Sequence, residues 1–144
     1  MSRVLLLTAD KPLSLCDKKT QRSKTVTVQG KSFTITAPAG FMVAEHSYYR
    51  SCVDELGHTM KPYQYELDLE VHEDDLADLK AYLSEHLTSG EEVELWNLWV
   101  GDEPGPLTHL RGNWDEFDMD TLKQFDRPFG YINSPGQCRM TIQF

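Results

Sequence analysis

The stretch that decides the fold is YQYELDLEVHEDDLADLKAYLSEHLTSGEEVELWNLWV, residues 63–100, because its hydrophobic period changes twice within one unit. A strand with one buried face and one solvent face is predicted where polar residues alternate with Tyr63, Tyr65, Leu67, Leu69 and Val71. A helix over residues 73–87 follows, with leucines at helical spacing, and a second strand begins after residue 90. Such a crossover is right-handed, so we expect the two strands to run parallel if they share a sheet.

The chain has 144 residues, which is long enough for one domain with a hydrophobic core of its own. We therefore expect a single α+β domain over residues 1–144. It should contain a single-layer mixed or mainly antiparallel sheet of five to seven strands, counted from the candidate segments. Two main helices should pack on one face of this sheet, and the topology should be ferredoxin-like in part, by analogy only.

The segments before residue 63 predict a buried strand, a hairpin and a helix. The apolar run at residues 4–8 is typical of a central strand that is covered on both sides. Residues 25–36 predict a hairpin with a type II′ turn at Gly30-Lys31, which pairs Val26 with Ile35 and Val28 with Phe33. A first helix is predicted for residues 43–56, where Cys52 and Val53 fall on its apolar face.

The segments after residue 100 give weaker signals. Residues 107–110 predict a short strand, and residues 118–125 a short helix that is capped by Asp118. Cys138, Met140, Ile142 and Phe144 alternate with polar residues and predict a final strand. Cys138 should therefore lie in the core.

The charge balance argues against two classes of partner. Fourteen Lys and Arg residues stand against 23 Asp and Glu residues, a net charge of -9, so direct binding to nucleic acid or to an anionic membrane is disfavoured. The three cysteines are odd in number and widely spaced, and no apolar run is long enough for a membrane span or an export signal. We expect a cytoplasmic protein.

The positive charge is concentrated in residues 10–24, which predict a loop. This loop holds five cations, Lys11, Lys18, Lys19, Arg22 and Lys24, and two acids. The favoured interpretation is that the loop lies across the acidic surface of the protein itself. The alternative, a site for an anionic ligand, lacks the glycine-rich turn or helix N-terminus that commonly holds a phosphate.

No catalytic or cofactor motif is present. The sequence has no glycine-rich phosphate loop, no His-Glu-x-x-His, no Cys-x-x-Cys and no Gly-x-Ser-x-Gly, so no cofactor and no metal site is expected, and whether the protein is an enzyme stays open. His46 and His58 could still meet Asp54 or Glu55 in three dimensions. Cys16 lies in the basic loop, where Lys18 and Lys19 could lower its pKa, so it is the one thiol to test for reactivity.

An acidic comb, defined as Glu66, Asp68, Glu70, Glu92 and Glu94, lies on the polar faces of the two strands of residues 63–100. Like charges on facing positions destabilise a sheet, so we expect cationic side chains to form ion pairs with these carboxylates. Arg3, Arg139 or the basic loop could do so within the chain. The functional alternatives are a divalent cation or a basic partner protein.

The last strand of the deciding stretch is apolar on both faces at residues 96–100, so either a bulge changes its phase or both faces are covered. The candidate ligand or interface residues are Trp96, Asn97, Leu98, Trp99, Tyr63 and His58. The first hypothesis is a non-catalytic protein-interaction module that forms a homodimer or binds a basic partner. The alternative is a small-ligand-binding protein or enzyme with a pocket near Trp99, Asn97, Tyr63 and His58. A pocket should gather polar groups and an abnormally titrating residue, whereas a binding surface should expose an apolar patch.

Overall fold

The computed structural model describes residues 2–101, 105–127 and 136–144. The strands of these residues are β1 (Ser2–Ala9), β2 (Cys16–Asp17), β3 (Thr20–Val28), β4 (Lys31–Ala39), β5 (Met42–Glu45), β6 (Tyr63–Asp68), β7 (Glu92–Val100), β8 (Leu107–Asn113) and β9 (Gln137–Gln143). The helices are α1 (Arg50–Glu55), α2 (Glu73–His86) and α3 (Met119–Asp126). None of the helices in the described ranges has the length and hydrophobicity needed to cross a membrane.

Seven of the strands form one large sheet in the order β2-β5-β6-β1-β7-β9-β8. All neighbours are antiparallel except β8 and β9, so the sheet is mainly antiparallel, as predicted. Strands β3 and β4 pair only with each other in the described part of the chain. We call this separate ribbon, residues 20–39, the arm.

The apolar run at residues 4–8 lies at the centre of the sheet, where β1 pairs with β6 on one side and β7 on the other. Val4, Leu6, Leu7 and Thr8 are all buried. Neighbouring residues of a strand point to opposite faces, so both faces of the sheet are covered here. The prediction of a doubly buried strand is confirmed.

The deciding stretch follows its predicted periodicity in part: its first strand ends at Asp68, and two residues of the predicted buried face, Tyr63 and Val71, are 41% and 38% exposed. Leu67 and Leu69 are buried, whereas the carboxylates of Asp68 and Glu70 are partly exposed. Because β6 and β7 are both antiparallel to β1, they are parallel to each other, with α2 in the connection between them. Such a split β-α-β unit also occurs in ferredoxin-like folds, and the analogy to that topology extends only to this unit.

The helices cover both faces of the sheet, which differs from the expected arrangement. The larger core cluster includes Leu79 and Leu83 of α2 with Leu122 and Phe125 of α3. A smaller cluster on the opposite face includes Val53 of α1. The expectation of two main helices on one face of a single layer is therefore not confirmed, since three helices are divided between two faces.

The arm is longer than the predicted hairpin. Residues 10–24 were expected to be a loop, but they contain β2 and the first half of β3, and β4 continues through Pro38 to Ala39. Proline is tolerated there because the outer edge of the ribbon is not paired with the main sheet. Both boundaries of the hairpin prediction were thus too short.

The turn of the arm also differs by one residue from the prediction. The two central residues are Gln29 and Gly30, with φ of 52° and 77°, which is the type I′ pattern rather than a type II′ turn at Gly30-Lys31. Val26 consequently pairs with Phe33 instead of Ile35. Each partner moves by two positions, so the apolar and the threonine faces of the ribbon remain separate.

The first predicted helix, residues 43–56, was wrong in its first half. Residues 42–45 form β5, which pairs with β6, and the helix begins only at Arg50. Val53 is buried as expected, but Cys52 is exposed instead of lying in the core. The helix ends at the predicted glycine, because Gly57 has a φ of 73° and donates its N–H to the Asp54 carbonyl.

The remaining elements agree with the sequence analysis, except that β8 extends three residues beyond the predicted strand over residues 107–110. Helix α2 spans Glu73–His86 and begins with three acidic residues. Asp118 caps α3 by accepting the Thr121 N–H at 2.9 Å. Cys138, Met140 and Ile142 of β9 are buried.

Ion pairs of Arg22 hold the base of the arm to the rest of the chain. Arg22 of β3 donates from Nη2 to Asp75 of α2 and, at 3.1 Å, from Nη1 to Glu70. The Asp75 side chain is fully buried, and its second oxygen accepts the Glu70 N–H at 2.8 Å. Asp75 raises the pKa of the Arg22 guanidinium through this hydrogen bond, so the arginine remains charged.

Arg22→Ala should lower the free energy of unfolding by roughly 3 kcal/mol, because it leaves the Asp75 carboxylate buried without its cation. Lys24→Ala is the matched control, since the Lys24–Glu70 pair is 3.6 Å long and largely exposed and should cost less than about 1 kcal/mol. Urea denaturation measures both. Equal losses in the two variants would show that Arg22 does not anchor the arm.

Candidate functional site

Trp96 and Leu98 lie in the interior. They belong to the smaller core cluster, in which Val53 of α1 covers the face of the sheet opposite α2 and α3. The Trp96 indole donates from Nε1 to Thr8 Oγ1 at 3.2 Å, so its polar atom is satisfied inside the protein. The two alternatives for residues 96–100 were a bulge and a strand covered on both faces. The structure shows the second, because both faces of β7 are covered here.

Asn97 points to the opposite face and joins the sheet to α3. Its Nδ2 donates to the carbonyls of Phe125 and Asp126, at 2.9 and 3.1 Å. Its Oδ1 accepts from Arg3 Nε at 3.1 Å, and Arg3 also forms an ion pair with Asp126. Asn97 therefore satisfies free carbonyls at the end of a helix, and the requirement that a buried amide find partners is met.

The other three candidates are more accessible but do not form one group. Trp99 is half-buried on the same face as Asn97, and its backbone N–H donates to Gln137 Oε1. Tyr63 is 41% exposed and pairs with Ala9, four positions along β1 from the partner of Asn97. The fold brings together His58 and Trp96, whose ring centroids are 5.5 Å apart, but it does not gather Trp99, Asn97, Tyr63 and His58 into one pocket.

His58 has an altered proton affinity. Burial of the ring lowers its pKa below the ordinary value of 6.5, and the positive charge of Arg139 lowers it further. The Arg139 guanidinium lies 5.4 Å from the centroid of the Trp96 ring on which His58 also packs. Both effects favour the neutral form of the His58 ring over the imidazolium.

The carboxylates of the acidic comb find their ion-pair and hydrogen-bond partners within the chain itself. Strands β6 and β7 are separated by β1, so the two halves of the comb do not face each other. Each carboxylate has its own cationic or N–H partner: Asp68 with Lys19, Glu70 with Arg22 and Lys24, Glu92 with Arg111, Glu94 with Arg139, and Glu66 with the Tyr49 N–H. The expectation that the basic segment lies across the acidic surface of the protein is confirmed.

A polar face on β7, β9 and β8 was not identified as a site from the sequence. Arg139 pairs in register with Trp96 on one side and His109 on the other, and Thr141 pairs with Glu94 and Arg111. Arg139 Nε donates to Glu94 at 2.7 Å, and the Glu94 side chain is 5% exposed. The expected pairing of Arg139 with the comb was the one sequence signal for this face, but strand order was needed to add His109 and Arg111.

The second feature that the sequence did not identify is the apolar face of the arm. It is formed by Val26, Val28, Phe33 and Ile35, which are 39%, 52%, 53% and 54% exposed. They share one face because Val26 pairs with Phe33, and strand residues two apart point the same way. Neither core cluster includes them.

The remaining candidates show no assembled catalytic group. His46 has a buried ring with no hydrogen-bond partner, and its Nδ1 lies 3.5 Å from Glu66 Oε1. Over the described ranges no group of three or more His, Cys, Asp or Glu side chains could hold a metal ion. Burial raises the pKa of the Cys138 thiol to about 12, and Cys16 is half-buried in β2.

Comparisons of this chain with protein-family models, curated proteins and solved structures give no match.

Trp96→Ala should lower the free energy of unfolding by about 3–5 kcal/mol, because it removes the largest fully buried side chain. The mass measured by sedimentation should be unchanged. Trp99→Ala, on the opposite face and half-buried, should cost less. A stable Trp96 variant with a reduced mass would instead identify Trp96 as part of a subunit contact.

His58 should make the protein less stable as the pH falls. The folded state has the lower pKa, so between that pKa and 6.5 the unfolded state binds more protons, and stability is lost as the pH drops below 6.5. His58→Gln should reduce this loss between pH 7.5 and 5.5 in urea denaturation. A ring-proton NMR titration of His58 with a midpoint at or above 6.5 would contradict the assignment.

Proposed function

We propose that this protein is a non-catalytic protein-interaction module that binds a partner protein through the apolar face of the arm. The observation that carries the proposal is the exposure of Val26, Val28, Phe33 and Ile35 on one face of a ribbon that projects from the sheet. Contiguous exposed apolar residues with a polar rim are typical of protein-binding surfaces. The proposed contact is the arm rather than residues 96–100, whose side chains are mostly used in the core.

Energetics also support a partner for the arm. An isolated two-stranded hairpin is at best marginally stable in water. Arg22 and Lys24 tie the arm to the rest of the chain by ion pairs, but neither core cluster of the described residues includes Val26, Val28, Phe33 or Ile35. A partner that buried the exposed half of each apolar side chain would gain roughly 1 kcal/mol per residue.

The charges of the arm specify the chemistry of the partner. Residues 20–39 contain Arg22, Lys24 and Lys31 and no acid. Lys24 pairs with Ile35 and Lys31 with Val28, so both lysines lie on the apolar face. A complementary surface is apolar with an acidic rim.

A second copy of the chain meets the charge requirement. Outside residues 20–39 the chain has 14 − 3 = 11 cations against 23 acids, a net charge of -12. A basic partner on the acidic comb is less favoured, because the carboxylates of the comb already have partners. The three free cysteines favour a reducing compartment, so the proposed place of action is the cytoplasm.

The test places a photo-crosslinking amino acid at Val28, on the apolar face, and separately at Thr27, on the opposite face. The purified chain is irradiated first, and then the chain in cell extract, with adducts identified by mass spectrometry. We expect adducts to one defined protein from position 28 and not from position 27. Sedimentation of the purified chain shows whether that protein is a second copy.

Phe33→Ser provides the control for specificity. It lies on the same face as Val28, and its side chain is 53% exposed, so the melting temperature should change little while the position-28 adduct is lost. Equal adducts from positions 27 and 28, or adducts that survive Phe33→Ser, would refute the proposed surface.

A further inference from the structure

The polar face of β7, β9 and β8 contains an arginine that is held rigidly on one side and free on the other. Glu94 accepts from Arg139 Nε at 2.7 Å, and the Trp96 ring lies 5.4 Å from the Arg139 guanidinium carbon. Glu94 and Trp96 are both buried, so they fix the plane of the guanidinium. Arg139 itself remains one-third exposed.

The two Nη groups of Arg139 have no hydrogen-bond acceptor among the described residues. Glu94 uses the Nε side, which leaves the Nη edge, with its fixed donors, available to a ligand. A planar guanidinium whose orientation is already set loses little entropy when it binds two oxygens at once. Carboxylates and phosphates present oxygen pairs with the matching spacing.

Further polar side chains lie on the same face of the sheet as Arg139. His109 occupies the cross-strand position next to Arg139 on β8, is exposed, and uses Nε2 toward Thr141 Oγ1 at 3.1 Å. Arg111, whose side chain is 56% exposed, pairs with Thr141 on the same face and donates from Nη1 to Glu92 Oε1 at 3.0 Å. His58 packs on the same Trp96 ring.

The local charge balance limits the affinity but not the selectivity for oxyanions. Glu94 and Glu92 each offset one arginine, so attraction at long range is weak. The Glu94 side chain is buried, whereas the Arg139 side chain is one-third exposed. A ligand held mainly by one guanidinium and one imidazole should bind with a dissociation constant on the order of 1 mM.

We propose that the Nη edge of Arg139, together with His109 and His58, is a binding site for a small oxyanion, either a carboxylate or a phosphate group. The site is independent of the arm and of the protein partner proposed for it. It differs from the pocket expected from the sequence, because it retains His58 but excludes Asn97, Trp99 and Tyr63. No covalent step is implied.

The experiment titrates the full chain with sodium phosphate and, separately, with sodium acetate, at constant ionic strength balanced by sodium chloride. NMR follows the Nε–Hε signal of Arg139 and the ring protons of His58 and His109. We expect saturable shifts of these signals with at least one of the two anions. Saturation by phosphate alone assigns a tetrahedral oxyanion, and saturation by acetate alone assigns a carboxylate.

Three variants test the assignment. Arg139→Lys keeps the positive charge but loses the planar pair of N–H donors. It should weaken binding about tenfold, as read from the histidine signals. His109→Gln, which leaves Arg139 and its supports in place, should weaken binding severalfold. Lys123→Gln removes one exposed cation from α3, on the other face of the sheet, and should leave binding unchanged.

Two results would overturn the proposal. One is the absence of saturation with both anions, with only small linear shifts across the surface. The other is equal weakening by His109→Gln and Lys123→Gln, which would reveal a general charge effect. Because neither of those variants alters Arg139, Glu94 or Trp96, this comparison remains decisive even if Arg139→Lys fails to fold.

Discussion

The structure depends on one constraint, which is that β1 is buried on both of its faces. Leu6 and Leu7 are adjacent in sequence, have no exposed surface, and belong to different core clusters. A sheet with such a central strand must be covered on both sides. The α2–α3 layer covers one face and the α1 segment the other, so neighbouring residues of β7 have separate environments. That is why Trp96 and Asn97, which are adjacent in the sequence, cannot contribute to the same pocket.

Sequence periodicity predicted the elements whose burial is settled by their own residues. The alternation in β6 and β9 and the leucine spacing in α2 each report one buried face, and all three elements were found with nearly the predicted bounds. Residues 10–45 were predicted less well, because β2 and β5 are short strands defined by partners elsewhere in the chain. The turn of the arm was displaced because Gln29 adopts positive φ, which few residues other than glycine, asparagine and aspartate commonly do.

The candidate site was harder to predict than the fold, for a physical reason. Tryptophan is frequent at binding surfaces, but it is equally suited to a core in which its N–H finds an acceptor, as Trp96 does at Thr8. Which case applies depends on whether Val53 and its neighbours cover the strand, and no local pattern encodes that. The polar face around Arg139 likewise exists only through strand order, since Glu94, His109 and Arg139 are far apart in sequence.

The arm carries a risk of aggregation, because it is an exposed apolar ribbon with unpaired edges. Lys24 and Lys31 lie on the apolar face itself, each opposite an apolar residue, and charges in such positions oppose unselective stacking of one ribbon on another. Two arms brought face to face would juxtapose these lysines, whereas an acidic rim would pair with them. The same two charges therefore oppose the stacking of one arm on another and favour a partner with an acidic rim, which in a second copy would have to lie outside the arm.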